Sequence, residues 1–177
     1  MPQLILYACP VGPLAQQIAA YFETSQRLCG PNAAHAYTPH CTLTGFFRDE
    51  ERAIALYLDT LESILSVYRK RIPKLPISIT QLTFRADWHG LEIEANGLKR
   101  LAVDFAAQAN SPTRRGPLRL KEWLHLSLAY DFDPTCESAL RQFATGLIDL
   151  STPVSWELRL YERSPDNHWQ CHHCWSI

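Results

Sequence analysis

Two short segments of the chain each place a histidine two residues before a hydroxyl side chain. The first is Pro39-His40-Cys41-Thr42-Leu43-Thr44 and the second is Leu124-His125-Leu126-Ser127-Leu128-Ala129. Of the seven histidines only these two have this spacing, and leucine follows the hydroxyl residue in both segments. If both segments are β-strands, each histidine shares a strand face with its hydroxyl residue, because side chains alternate with a period of two.

This pair of segments has the side chains needed to cleave a phosphodiester. The reaction needs a base to deprotonate the nucleophile and an acid to protonate the leaving oxygen, and histidine can serve as either near neutral pH. The two hydroxyls can donate hydrogen bonds to the non-bridging phosphoryl oxygens. We therefore predict His40, Thr42, His125 and Ser127 as catalytic residues, with no metal or other cofactor. One such triplet alone would favour a structural histidine, but the matched pair favours catalysis.

Hydrophobic periodicity predicts the elements that position these segments. In chain order they are a strand at 3–9, a helix at 14–24, a loop at 29–32, the strand of His40, a helix at 49–71, a hairpin of strands at 77–84 and 91–95, a helix near 98–105, a polar loop at 110–121, the strand of His125, a helix at 133–147, and strands at 154–161 and 167–176.

Local signals predict where several of these elements begin and end. Asp49 is expected to cap the second helix, and Pro73 and Pro76 to close it. An Asp87-Trp88-His89-Gly90 turn is expected to join the hairpin strands. Asp133 followed by Pro134 predicts an N-cap with proline in the first helical position.

The spacing of the two segments indicates a duplicated unit. They lie about half the chain length apart, which fits an α+β unit present twice with its halves facing each other. No linker-like break separates the halves, so we predict one domain over residues 1–177 made of two lobes.

Composition excludes several classes of protein. A net charge of −1 argues against coating of long nucleic acid. The N-terminal segment has no positive region and its apolar run is interrupted at Pro10, so no signal peptide is expected. No segment approaches the roughly twenty apolar residues of a membrane span. We predict a cytoplasmic protein, a monomer, with its six cysteines reduced.

Other residues compete for a functional role. The segment Cys171-His172-His173-Cys174 has zinc-binding residue types, but strand alternation would place its two cysteines on opposite faces, so buried thiols in a closing strand are favoured. Cys41 is expected across the sheet from His40 and is not predicted as a nucleophile. His35 is expected to be structural.

Substrate-binding residues are predicted from aromatic and basic side chains near the two segments. Tyr37 precedes the first segment and can stack on a base, as Trp88 can. Tyr130 is in phase with Leu126 and Leu128, so a core position is favoured for it. Arg114 and Arg115 lie in a basic loop with Arg119 and Lys121 before the second segment. A solvated loop is the alternative interpretation of these charges.

The paired His-x-Thr-Leu and His-x-Ser-Leu segments resemble the signature of the 2H phosphoesterase superfamily. Within it, the chain is similar to the N-terminal phosphodiesterase domain of the TULA (T-cell ubiquitin ligand) proteins. The similar stretches are Leu28-Cys29-Gly30 with Asn32, Ala34-His35, Pro39 to Leu43 with Phe46-Phe47, Asp104-Phe105-Ala106-Ala107 and Leu124 to Tyr130.

The resemblance implies a bilobal α+β fold with a pseudo-twofold axis, as in RNA ligase/cyclic phosphodiesterase-like proteins. Antiparallel sheets would surround a central groove, with helices outside. It also implies metal-independent hydrolysis of nucleoside 2′,3′-cyclic phosphates or of RNA ends that carry them. The alternatives are a non-catalytic protein that binds a nucleotide or RNA end in the same groove, and a zinc-stabilised interaction domain. Which histidine is the base stays open from the sequence.

Overall fold

The computed structural model describes residues 1–71 and 74–177. Within these residues the chain forms four α-helices and eight β-strands. None of these four helices has the length and hydrophobicity of a membrane span. The elements are β1 (Gln3–Val11), α1 (Pro13–Cys29), β2 (Cys41–Thr42), β3 (Phe47–Arg48), α2 (Ile54–Arg71), β4 (Ser78–Phe84), β5 (Trp88–Glu94), α3 (Asn96–Gln108), β6 (His125–Tyr130), α4 (Glu137–Leu147), β7 (Ser155–Arg163) and β8 (Trp169–Ser176).

The strands form one antiparallel sheet in the order β4-β5-β6-β2-β1-β7-β8, and β3 pairs with β1. The predicted α+β class with antiparallel strands is confirmed. The short strand β2 joins two groups of strands, because Cys41 pairs with Ala8 of β1 on one side and with Leu126 of β6 on the other. His40 directly precedes β2 and His125 begins β6, so both lie at the centre of the sheet.

The strand order is symmetric about the boundary between β6 and β2. Outward from this boundary lie β6, β5 and β4 on one side and β2, β1 and β7 on the other. In each half one helix connects the two inner strands: α3 lies between β5 and β6, and α1 between β1 and β2. This order is what a duplicated unit would produce, while the division into two lobes of one domain stays a prediction.

Helix α1 buries one apolar stripe. Leu14, Ile18 and Tyr21 are fully buried at helical spacing, and Pro13 occupies the first turn. The helix continues to Cys29, beyond the predicted end, and the chain leaves it at Gly30, whose φ of 79° is in the range that favours glycine.

Asp49 does not cap the second helix as predicted. A short 3₁₀ turn over Glu51–Ala53 precedes α2, and the Asp49 carboxylate is buried instead. It accepts hydrogen bonds from the Tyr57 hydroxyl at 2.5 Å and the Thr113 hydroxyl at 2.6 Å. Tertiary partners thus replaced the local cap. Pro73, predicted to help close the helix, lies outside the described residues.

The predicted N-cap at Asp133 is present, whereas the predicted hairpin turn lies elsewhere. Asp133 is an N-cap as predicted: its side chain accepts from the Thr135 amide, and Pro134 follows it at the start of a 3₁₀ turn before α4. The predicted hairpin of β4 and β5 is present, but its turn lies at 85–88 rather than at Asp87–Gly90, because β5 begins at Trp88 and pairs there with Tyr130. Pairing with β6 extends the strand through residues whose types favoured a turn.

Bulges in β6 and β8 change which side chains share a face. In β6, Ser127 pairs with Gly90 and Ala129 with His89, so Leu128 is an extra residue. In β8, His173 pairs with Leu160 and Cys171 with Tyr161, so His172 is extra. Each bulge reverses the alternation of side chains beyond it. Tyr130 and Cys174 therefore lie on faces opposite to those predicted.

The helices pack against one face of the sheet and leave the other for a groove. Alternate residues of β1, from Leu4 to Ala8, belong to the main core with the apolar sides of the helices. The residues between them, Ile5, Tyr7 and Cys9, form a smaller cluster with Phe46, Tyr161 and Trp169. We call this second side the groove face.

Candidate active site

His40 is held by one hydrogen bond and one stacked ring. Its Nδ1 lies 2.7 Å from the Thr38 carbonyl oxygen. The imidazole stacks on Tyr7 of β1, with ring centroids 3.8 Å apart and planes 23° from parallel. Because a carbonyl only accepts hydrogen bonds, Nδ1 carries the proton in this arrangement. Nε2 is then the nitrogen that can take a proton from a ligand.

His125 has the same arrangement in the other half. Its Nδ1 lies 3.3 Å from the carbonyl oxygen of Trp123, again two residues earlier in the chain. The imidazole stacks on the Trp123 ring at 3.9 Å and meets the edge of Trp88 at 5.3 Å. The two imidazoles therefore present the same nitrogen in the same tautomer.

The two hydroxyls line the same cavity as the two histidines. The Trp88 indole nitrogen donates to Ser127 Oγ at 2.9 Å, so an Oγ lone pair is used and the hydroxyl hydrogen remains free to donate. This contact requires Gly90, which lies beneath the indole. A Cβ at Gly90 would lie 2.2 Å from the Trp88 ring and 2.4 Å from the Leu126 carbonyl oxygen.

The cavity has a volume of about 420 Å³, within the range of small-ligand sites. Its lining includes all four predicted catalytic residues. The other lining residues are Phe22, Ala34, Tyr37, Thr38, Pro39, Asp87, Trp88, Tyr130 and Asp131. A second cavity of about 290 Å³ adjoins it and shares His40, Thr42, Tyr37 and Tyr130. The structure thus brings both predicted His/hydroxyl pairs to one groove.

The aromatic residues proposed for substrate binding lie at this groove. Tyr37 lines both cavities, and Trp88 lines the larger one. Tyr130 also lines both, which corrects the core position favoured from sequence. The bulge at Leu128 is the reason, because it returns Tyr130 to the face of Ser127.

The basic residues at the groove are not the two predicted. Neither Arg114 nor Arg115 is among the described residues lining the two cavities. The Arg114 guanidinium donates to the carbonyls of Ala109 and Gly116. The backbone of Arg115 forms an isolated antiparallel β-bridge with that of Arg48. From the same basic loop, Arg119 and Lys121 line the smaller cavity.

The surroundings of His40 favour its neutral form. The pKa of this imidazole is lowered to about 4, chiefly by burial and also by the nearby positive charge of His125, against the opposing effect of the Thr38 carbonyl. A base must be unprotonated to accept a proton, so His40 is ready for that role at neutral pH.

The pKa of His125 is also lowered, but by a more mixed environment. Burial is the largest cause, and the charges of Lys121 and Arg85 act in the same direction. The Trp123 carbonyl and the Glu92 carboxylate raise it. Glu92 is the β5 partner of His125 in the sheet, so a carboxylate lies on the strand beside this imidazole.

Two other residues are placed as expected. Cys41 is fully buried, and burial raises the pKa of its thiol to about 12, so it is no nucleophile. His35 accepts from the Asn32 amide through Nδ1 and contacts Ser25 Oγ at 3.0 Å through Nε2. These contacts tie α1 to the loop before His40, which is a structural role.

The cluster of Cys171, His172, His173 and Cys174 differs from both interpretations made from sequence. Its two thiols are exposed rather than buried, and they share the groove face. His172 is turned away and contacts Glu162 at 2.9 Å. Across residues 1–71 and 74–177, no group of three or more histidine, cysteine or acidic side chains is arranged to hold a metal ion.

Comparison with known proteins identifies relatives over most of this chain. It is 33% identical over 165 residues to the ubiquitin-associated and SH3 domain-containing protein B of Mus musculus and of Homo sapiens, which covers 91% of the chain. Over this stretch the chain is similar to the TULA proteins. The resemblance predicted from the two His/hydroxyl segments is thereby confirmed. The ecdysteroid-phosphate phosphatase of Bombyx mori is 32% identical over 175 residues.

The chain corresponds to only one part of these relatives. It spans about a quarter of their length, 25% in each case. No family model matches the chain. Among solved structures, it is similar to one described as a phosphoesterase, with a TM-score of 0.48 and 18% identity over 100% of this chain and 99% of that one. It is also similar to E. coli LigT complexed with 3′-AMP, with a TM-score of 0.46 and 18% identity over the same shares.

Proposed function

We propose that this chain is a phosphoesterase that hydrolyses nucleoside 2′,3′-cyclic phosphates, or RNA ends that carry them, without a metal ion. One observation carries the proposal. Two imidazoles in the same tautomer, each held through Nδ1 by the carbonyl two residues earlier, line one cavity together with two hydroxyls. A phosphate binder needs hydrogen-bond donors, whereas a matched acid and base are needed only for proton transfer.

We assign the base role to His40 and the acid role to His125. His40 Nε2 takes a proton from water as the water oxygen attacks phosphorus. The bond from phosphorus to one ribose oxygen breaks, and His125 protonates that oxygen. Glu92 supports this assignment, because a carboxylate near an imidazole favours the protonated form that an acid requires. A bound phosphate anion would favour the same form.

The hydroxyls complete the proposed mechanism. Thr42 and Ser127 donate to the non-bridging oxygens, where negative charge increases in the transition state. Trp88 orients Ser127 by donating a hydrogen bond to its Oγ. The Ser127 hydroxyl hydrogen then points away from the indole and can donate to the phosphoryl group. Tyr37, Trp88 and Tyr130 supply ring faces and edges on which a nucleobase can pack.

Hydrolysis of 2′,3′-cyclic nucleotides in excess chelator tests this function. We expect turnover by the unaltered chain, and a loss of at least about a hundredfold in His40→Ala and in His125→Ala, the usual worth of a general acid or base. His168→Ala, on the exposed turn between β7 and β8, is the matched control and should keep full activity.

Three outcomes would contradict this proposal. Full activity of either histidine variant would exclude the two-histidine mechanism, and loss of turnover in chelator would exclude a metal-independent one. An unaltered chain that binds 2′- or 3′-nucleotides but turns over no cyclic nucleotide or RNA end would instead be the non-catalytic binder.

A further inference from the structure

Two exposed thiols lie in contact on the edge strand of the sheet. Cys171 Sγ and Cys174 Sγ are 3.4 Å apart in β8, and both residues are exposed. A disulfide bond is about 2.05 Å long, so the two sulfur atoms need to approach by only about 1.4 Å to form one. The proposed phosphoesterase mechanism uses neither thiol.

The bulge at His172 creates this contact. In a regular strand, residues three apart point to opposite faces and cannot bring their side chains together. Here Cys171 pairs with Tyr161 and Cys174 with Arg159, and these two β7 residues share the groove face. The extra residue between them places both thiols on that face. The backbone register therefore places the two thiols on the same side of the strand, where their sulfur atoms come into contact.

The other four cysteines lack this combination of contact and exposure. Cys9 and Cys41 are buried at 1% and 0% exposure. Cys29 and Cys136 are half-buried, and the Cys136 thiol contacts the Cys29 carbonyl oxygen at 3.8 Å. They are the competing pair that an experiment must distinguish.

We propose that Cys171 and Cys174 form a dithiol modification site that is oxidised reversibly by low-molecular-weight disulfides such as oxidised glutathione. The thiolate of one cysteine attacks a sulfur of the disulfide, which forms a mixed disulfide and releases one glutathione thiolate. The second cysteine, after losing its proton, attacks the protein sulfur of the mixed disulfide and releases the second thiolate. Two electrons pass from the dithiol to glutathione disulfide, and a Cys171–Cys174 bond remains.

Proximity rather than acidity makes this pair reactive. Partial burial and the neighbouring Cys174 raise the pKa of the Cys171 thiol to about 11, against the effect of the Arg159 guanidinium. The first attack is therefore slow at neutral pH, because the thiolate is the reactive form. The second step is fast, because the attacking sulfur already lies in contact with its target.

The sequence around the pair allows a direct test by peptide mapping. No lysine or arginine follows Arg163, so trypsin releases residues 164–177 as one peptide that contains both cysteines and no other. After incubation of the reduced chain with oxidised glutathione and alkylation of free thiols, we expect this peptide to be unalkylated and lighter than the dithiol by two hydrogens. Dithiothreitol should restore two alkylation sites.

Single variants separate the two steps. In Cys171→Ser and in Cys174→Ser the same peptide should retain one glutathione, and the adduct should persist about a hundredfold longer than in the unaltered chain. Cys136→Ser is the control and should oxidise like the unaltered chain. A peptide that stays fully alkylated, gains two glutathiones or links to a second chain would overturn the proposal. So would a disulfide only between peptides 28–48 and 122–141; the first carries Cys29 and the buried Cys41, and the second carries Cys136. None of these measurements depends on phosphodiester hydrolysis, so they test the dithiol site separately from the proposed function.

Discussion

The two halves of the groove hold their histidines in the same way but surround them differently. In each half, Nδ1 contacts the carbonyl two residues earlier and an aromatic ring stacks on the imidazole, at 3.8 Å for His40 and 3.9 Å for His125. The stacked ring is the buried Tyr7 in one half and the 42% exposed Trp123 in the other. The contacts that hold the imidazole are thus the same in both halves, but the exposure of the stacked ring to water differs.

The paired strands show where this asymmetry arises. Tyr7 lies opposite Thr42 on β1, and Gly90 lies opposite Ser127 on β5, so these positions correspond in the two halves. Tyr7 covers His40 with its ring. Gly90 leaves space that Trp88 occupies, and the indole hydrogen-bonds Ser127. A different residue opposite each hydroxyl thus gives two imidazoles of the same tautomer different surroundings.

The largest expected effect comes from a leaving-group test of the acid and base assignment. His125→Gln should lose about 10²- to 10⁴-fold on a cyclic nucleotide. It should lose much less on a nucleotide p-nitrophenyl diester, because nitrophenolate departs without a proton. His40→Gln should lose equally on both substrates. If the measured kcat/KM values show the opposite pattern, with His40→Gln rather than His125→Gln rescued on the nitrophenyl diester, His40 is the acid and His125 the base.

A smaller but still large effect is expected at the hydroxyls. Thr42→Val keeps the shape of the side chain and Ser127→Ala removes one oxygen, and each should lower kcat about a hundredfold, as loss of a transition-state hydrogen bond does. Thr145→Val, at an exposed position of α4, is the matched control and should keep kcat within a few-fold. Unchanged kcat in both Thr42→Val and Ser127→Ala would show that the hydroxyls do not stabilise the transition state.

The pH dependence of stability tests the environment of His40. With a pKa of about 4 when folded and about 6.5 when unfolded, the unfolded chain binds more protons between these values. His40 therefore lowers the free energy of unfolding as pH falls from about 6.5 to about 4, and the total decrease is about 3 kcal/mol. Urea unfolding of His40→Gln should show a shallower fall over this range. An equally steep fall would mean that burial does not depress this pKa.

The smallest expected effect concerns Glu92. The carboxylate favours protonated His125, so Glu92→Gln should lower the pKa of His125 and move the alkaline limb of the kcat/KM profile to lower pH. Activity near pH 8 should fall about threefold, the usual worth of a partly exposed ionic contact. Glu94→Gln, at the exposed end of the same strand, is the control. A profile moved to higher pH would contradict the proposed support of the acid.

The accuracy of the sequence predictions followed the regularity of the backbone. Strands and helices with clear periodicity were placed correctly apart from their ends, as α1 and α2 show. The positions of Tyr130 and Cys174 were wrong for one shared reason. Each lies beyond a bulge, and an extra residue in a strand leaves no distinctive pattern in the sequence.

Predictions that needed distant partners also failed or stayed incomplete. Asp49 has the residue type of a helix cap, but Tyr57 and Thr113 bind it in the core. Within one basic loop, Arg119 and Lys121 line the groove while Arg114 binds loop carbonyls, and no local signal separates them. The stacking of Tyr7 on His40 links residues 33 positions apart in the chain, so periodicity could not reveal it.

The sequence by itself determined the fold class, the two His/hydroxyl pairs and the similarity to the TULA proteins, because these depend on residue types at short, fixed spacings. Only the tertiary structure decided which residues surround each pair. Strand pairing placed Glu92 beside His125, Gly90 made space for Trp88, and two bulges brought Tyr130 to the groove and Cys171 to Cys174. The physical reason is that the proton affinity of a histidine depends on neighbours that are distant in sequence, and the contact of two thiols depends on the register of the strand. Neither can be inferred from a short stretch of sequence.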